Sequence, residues 1–255
     1  MASFSKTPTL RAPFGKNVYQ RSTKGQKYES STLAATSVVA ETIDGTLLKV
    51  AQSGETMAKI TSGPEAGKIG PYQPAGTVEV QTATKSGTWT SGTYDITVPA
   101  YDVTAEDIAI AANAATIQAA LEAAGVPEGA ITVTGGPLST TPVVFTYNYL
   151  GENVGMITID LTNLVGGGTV AVAETTAGVA GAVDGRQTAA NIVGLLDTFL
   201  PWELNERDAV VSVCYEVAAH QDWCFERNGA GARVVLGNTT RDAIVAHASL
   251  SIIFK

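Results

Sequence analysis

Hydrophobic positions along the chain follow two periods, and the change between them picks out one helix among many short strands. Ala114, Ile117, Leu121 and Ala124 recur at spacings of three, four and three, which places them on one helical face. Asn113 precedes them as an N-cap, Gly125 supplies a left-handed C′ residue, and Pro127 blocks continuation. A helix of about three turns is marginal alone in water, so Ile117 and Leu121 need a sheet to lie against. The flanks supply it through period-two, β-branched runs. These are Thr93–Val98, Asp107–Ile110, Ala130–Thr134, Val143–Tyr147, Met156–Ile159 and Thr169–Val172. Gly135-Gly136-Pro137 and Gly166-Gly167-Gly168 read as turns. The pattern predicts one helix on one face of a mainly antiparallel sheet.

A second, mostly β body lies on either side of this unit. Short strands are expected at Val38–Ala40, Thr46–Val50 and Met57–Ile60, with Asp44-Gly45 as a hairpin turn between the first two. After the insert, strands are expected at Ile192–Leu196, Val211–Val217, Val234–Leu236, Ile244–Ala246 and Leu250–Phe254. In the second of these, Val211, Val213, Tyr215 and Val217 share one face, and Trp223-Cys224-Phe225 is its expected hairpin partner. Pro74-Ala75-Gly76 leads into the insert and Ala177–Gly181 leads out, the small residues that a tolerated insertion needs. The predicted fold class is mainly β with an α+β insert. It divides into an arm at 1–35, β body at 36–76, inserted α/β domain at 77–177 and β body at 178–255.

Residues 1–35 read as an extended arm. Pro8, Pro13 and Gly15, with Ser and Thr throughout, oppose regular structure, and no apolar period appears. Charge changes the picture most here. Residues 1–28 carry Lys6, Arg11, Lys16, Arg21, Lys24 and Lys27 and no acid, whereas the net charge of the whole chain is −8. The insert holds ten acids against Lys85. Phe4, Leu10, Phe14, Val18 and Tyr19 are spaced hydrophobes among these bases, a pattern suited to an arm that orders on an acidic protein surface. A nucleic-acid reading, with bases on phosphates and Tyr19 or Tyr28 stacking, is weaker, because the body is acidic and no nucleic-acid module is recognisable.

Catalytic parts are scarce. His220 and His247 are the only histidines, and neither sits in a Gly-x-Ser-x-Gly or His-Glu-x-x-His context. Cys214 and Cys224 leave open a disulfide, a two-thiolate metal corner or two reduced core residues, the last being favoured. Asp102, Glu106 and Asp107 lack calcium-loop spacing and read as a solvated loop. Gly229–Arg233 lacks the Gly-Lys-Ser/Thr of a phosphate loop. Trp89, Tyr94, Tyr101, Tyr147 and Tyr149 suit either a sugar-binding surface or a core, and the core is favoured. No cofactor or metal site is expected. No apolar stretch matches a secretory leader or a membrane span, so a protein made in a cytoplasm is expected.

Residues 36–76 with 178–255 resemble the head decoration proteins of tailed bacteriophages, the lambda-type capsid-stabilising group. The residues that carry this are Glu41–Leu48, Asp184-Gly185-Arg186, Ile192–Leu196 and the lead-in Asp208 to Val210–Glu216. Residues 77–177 are similar to a small α/β module of phage structural and bacterial surface proteins, on Asn113–Glu122 and Ile131–Pro137. The resemblance implies a non-enzymatic cementing protein with a barrel-like core, a trimer on the outside of a mature head. Its partner would be the major capsid protein, with no nucleic acid and no membrane involved. The implied contacts are Phe4, Lys6, Leu10, Arg11, Phe14, Lys16, Tyr19, Arg21, Lys24 and Lys27. The alternatives are an adhesin or head fibre that binds host glycans through the insert, and a tail-tube subunit.

Overall fold

The structure, a computed structural model, describes residues 19–43 and 45–255, with residues 21–24 described by their backbone alone. The chain runs through β1 (Gln20–Leu33), β2 (Glu41–Ile43), β3 (Thr46–Leu48), β4 (Thr56–Lys59) and β5 (Ile69–Pro71). Next come β6 (Val80–Val98), β7 (Val103–Ala109), α1 (Ala114–Ala124), β8 (Ile131–Gly135), β9 (Val143–Tyr147), β10 (Thr158–Asp160) and β11 (Leu164–Thr176). It ends with β12 (Ile192–Leu196), β13 (Ala209–Ala219), β14 (Phe225–Arg227), β15 (Arg233–Val235), α2 (Asn238–Ala246) and β16 (Ser251–Phe254). The protein is thus mainly β, with a small α/β insert. It divides into two compact units, one of the residues up to Ala75 with Asp184–Lys255, the other Gly76–Val183. The exit from the insert lies beyond residue 177, because Thr77 and Val179 exchange both backbone hydrogen bonds at 3.0 Å and Gly76 N–H donates to Ala182.

The first unit is a closed ring of strands in the order β1-β5-β4-β12-β13, with β13 pairing back onto β1. Closure leaves few open edges, which suits strands this short. β13 is the spine. It holds β1 antiparallel on one edge, from Leu33↔Ala209 to Gln20↔Ala219, and β12 and then β16 on its other edge. Leu33, Val38, Met57, Leu196 and Val213 fill one core cluster, and Tyr19, Leu195, Cys214, Ile244 and Ile252 another.

Several expectations are corrected here. Gln20–Leu33 is a strand and not part of an irregular arm; it shows no apolar period because Gly25–Thr32 leave most side chains in water. Residues 35–37 form a 3-10 turn, so the hairpin starts only at Glu41, with Ile43 opposite Thr46 around Gly45. Asp44 lies outside the described residues. Phe225–Arg227 pairs with β15, because β13 is already held by β1, β12 and β16. Ile244-Val245-Ala246 belongs to α2: Thr240 and Ile244, four apart, are buried while Val245 is exposed, a helical alternation.

In the insert, α1 has the expected caps. The Asn113 side chain accepts from Thr116 N–H at 2.9 Å, and Gly125 closes the helix at φ +125°. Ile117 and Leu121 are buried in one cluster with Ile96, Phe145 and Tyr147. The sheet is antiparallel throughout, and β6 is its centre. β6 is much longer than the Thr93–Val98 run that marks its end. Gly166-Gly167-Gly168 is no turn: it lies inside β11, opposite Trp89, Thr88 and Gly87. A Cβ on Gly168 would sit 2.5 Å from the Trp89 ring, so the indole takes the space a side chain would need.

Candidate assembly surface

The charge pattern points to the basic N-terminal segment, and the structure shows what holds its root. Tyr19 is fully buried, its carbonyl accepting from His220 N–H at 2.9 Å. Burial pushes the phenol pKa well above its ordinary value. Gly54 makes room for it: at φ +87°, a Cβ there would lie 2.7 Å from the Trp223 carbonyl and 3.0 Å from Tyr19 Cβ. Gln20 ties the next step down, its amide donating to Asp197 Oδ1 at 2.8 Å and to Tyr28 Oη at 3.1 Å.

Of the residues expected to contact a partner, Phe4, Lys6, Leu10, Arg11, Phe14 and Lys16 lie outside the described residues. Tyr19 is removed from that set, because a side chain with no exposed surface anchors its own core. Arg21 and Lys24 fall on β1. Lys27, also on β1, is exposed and paired at 2.6 Å with Glu216 on β13, and hydrogen bonding to that carboxylate raises its pKa. Within this chain, then, a base of the segment is already paired with a carboxylate.

The residues behind the family resemblance hold the barrel together. Arg186 Nε reaches both oxygens of Asp184 at 3.0 and 2.9 Å, and Nη1 donates to the Ser37 and Pro71 carbonyls. Asp208 accepts from Ala35 N–H at 2.8 Å and pairs with Lys68 at 2.5 Å, and these two contacts, Lys68 foremost, hold its pKa below the usual carboxylate range. Sequence reading missed a buried charge cluster. Arg227 Nε meets Glu55, its Nη1 meets Glu41 at 2.9 Å, and Arg233 meets the other Glu41 oxygen at 2.8 Å. No local motif signals it, since its acids and its bases lie at least 172 positions apart in the chain.

The other candidate chemistry is dispersed. Cys214 and Cys224 are free, buried thiols, both pushed up by burial. Their Sγ–H groups donate to the Glu216 and His220 carbonyls at 3.3 Å. His220 caps a 3-10 turn, and His247 caps the end of α2. Among the described residues no three His, Cys, Asp or Glu side chains gather as a metal site would require. Asp102 takes left-handed backbone in the turn before β7, whereas Glu106 and Asp107 lie within β7 and not in the expected loop; Asp107 is also left-handed, and its N–H donates to Asp95 at 2.8 Å. Gly229–Arg233 joins β14 to β15, and its Gly231 carbonyl accepts from Arg227. Trp89, Tyr94 and Tyr147 are buried in the insert's core, with Tyr101 and Tyr149 packed against it, so these rings do not form an open sugar platform. Among the described residues no helix is long and apolar enough to cross a membrane.

No protein-family model matches the chain, and no curated protein matches it in sequence. The described residues thus show the root of the basic segment, Tyr19 and β1, built into the barrel.

Proposed function

We propose that this is a non-enzymatic decoration protein of the tailed-phage type, which binds the outer surface of a mature head as a trimer and cements it. The observation that carries the reading is charge segregation: six bases and no acid in residues 1–28, on a chain whose remaining residues are strongly acidic. Lys27 on Glu216 illustrates the kind of contact a base of such a leader would make with a carboxylate. The three bases before Tyr19, namely Lys6, Arg11 and Lys16, facing capsid carboxylates would steer encounter and form charge-assisted hydrogen bonds. A ligand that binds only the assembled lattice stabilises it by mass action. The acidic insert, with ten acids against one base, then faces solvent, where like charge keeps particles apart.

The barrel dictates where to cut. Tyr19 and β1 belong to the core, so removing residues 1–28 would damage the fold, whereas removing residues 1–18 spares every described contact. The truncated protein is expected to keep its circular dichroism spectrum and lose sedimentation with expanded, undecorated heads. Full-length binding is expected to weaken as salt rises. Undiminished binding of the truncated protein would refute the leader's role.

A further inference from the structure

β11 is the outer strand of the insert's sheet. Among the described residues it pairs with β6 alone, so the backbone groups along its other edge meet no strand. Soluble proteins ordinarily guard such an edge with Lys, Pro, inward charge or a bulge. β11 carries a single charged residue, Glu174, and neither Lys nor Pro. Its register breaks fall near its ends, at Val165/Gly166 and after Glu174, leaving a regular stretch between them. Val165 is 58% exposed, and Thr169, Ala171 and Ala173 are exposed as well.

One glycine on this edge has no internal reason to be small. Gly166, at φ +135°, would drive a Cβ to 2.5 Å from the Thr88 carbonyl, and Gly168 is constrained by Trp89. At Gly167 a Cβ would meet nothing within 4 Å, and its backbone is not left-handed. The sequence is also lopsided about Thr169, with Gly166-Gly167-Gly168 before it and Val170-Ala171-Val172 after it.

We propose that this edge pairs antiparallel with the same edge of a second copy, about a two-fold axis through Thr169. That register sets Val170 opposite Gly168, Ala171 opposite Gly167 and Val172 opposite Gly166, so each larger side chain lies over a position without one. Such large-against-small alternation lets facing residues interdigitate, and a two-fold contact is self-complementary. The two Glu174 carboxylates fall at opposite ends of the paired stretch, so the acidic insert brings no like charges face to face. The pairing stands independently of the capsid reading, since it requires only the insert's own edge.

Thr169 on the axis provides the test, because any side chain there meets its own copy. Full-length T169K and T169E are each expected to show half the wild-type mass by native mass spectrometry, with unchanged circular dichroism. An equimolar mixture is expected to recover the wild-type mass, as Lys meets Glu. T169C, treated with oxidised glutathione, is expected to give a covalent dimer on a denaturing gel. The proposal is overturned if wild type is no heavier than T169K, if the mixture fails to re-pair, or if T169C stays single.

Discussion

Replacing Arg227 by Leu gives the sharpest test of what holds the barrel. Arg227 is 2% exposed and Glu55 is fully buried. Its Nε donates to Glu55, Nη1 to Glu41 and the Gly231 carbonyl, and Nη2 to the Val50 carbonyl at 2.9 Å. Burial alone would pull the guanidinium's pKa down, but Glu55 and Glu41 outweigh it and the net shift is upward, so the cation persists. Removing it strands a carboxylate with no exposed surface, a change that costs about 3–5 kcal/mol. The two carbonyls left without a donor add roughly 1 kcal/mol each at most. Glu41→Gln keeps a hydrogen-bonding side chain at a position 26% exposed, and should cost about 1 kcal/mol or less. The double change Arg227→Leu with Glu55→Leu removes both charges together, and should regain at least about 2 kcal/mol of the single-variant loss. Urea unfolding in a Trp89→Phe background reads this unit alone, through Trp202 and Trp223. At about 2–4 °C per kcal/mol, the fall in Tm from the stranded carboxylate alone is roughly 6–20 °C. If Arg227→Leu proves no worse than Glu41→Gln, the pairing of a dry carboxylate is not what the guanidinium supplies, and the reasoning fails.

Three further outcomes follow from single contacts. Asp208 has a depressed pKa in the folded state, so its contribution is present above the unfolded carboxylate value of about 3.9 and is lost as pH falls through the folded value. Asp208→Asn should therefore lower stability at neutral pH and flatten the acid limb of an unfolding-versus-pH curve; parallel curves would contradict the Lys68 assignment. Cys214 and Cys224 should resist Ellman's reagent in the native protein and both react in denaturant, and rapid native labelling would show that the barrel core is open. In the unpaired T169K background, Gly168→Ala should cost about 1–3 kcal/mol as the new methyl meets Trp89, while Gly167→Ala should stay within about 0.5 kcal/mol, a contrast that calorimetry of the insert's transition can resolve.

How much of this was legible in the sequence depended on whether the deciding contact was local. Helix α1 is written in its neighbours, Asn113 at one end and Gly125 at the other, and needed no knowledge of the sheet. The Gly166–Gly168 run misled for the opposite reason: its residues are small because of β6, about eighty positions away in the chain, where Trp89 and Thr88 press against them. The same distance hid the charge cluster of Glu41, Glu55, Arg227 and Arg233, whose carboxylates lie at least 172 positions from the guanidiniums they meet. It also misassigned Tyr19. A tyrosine among Ser, Lys and Asn reads as a spaced anchor for some other surface, yet Gly54 and His220 had already shaped a pocket for it. That correction alters the functional reading more than any other, because it moves the boundary between what the protein keeps for itself and what it can offer a partner. From Tyr19 onward the segment belongs to the barrel, so a leader that fastens this protein to anything must do so through the residues before it, with β1 as the fixed end against which it pulls.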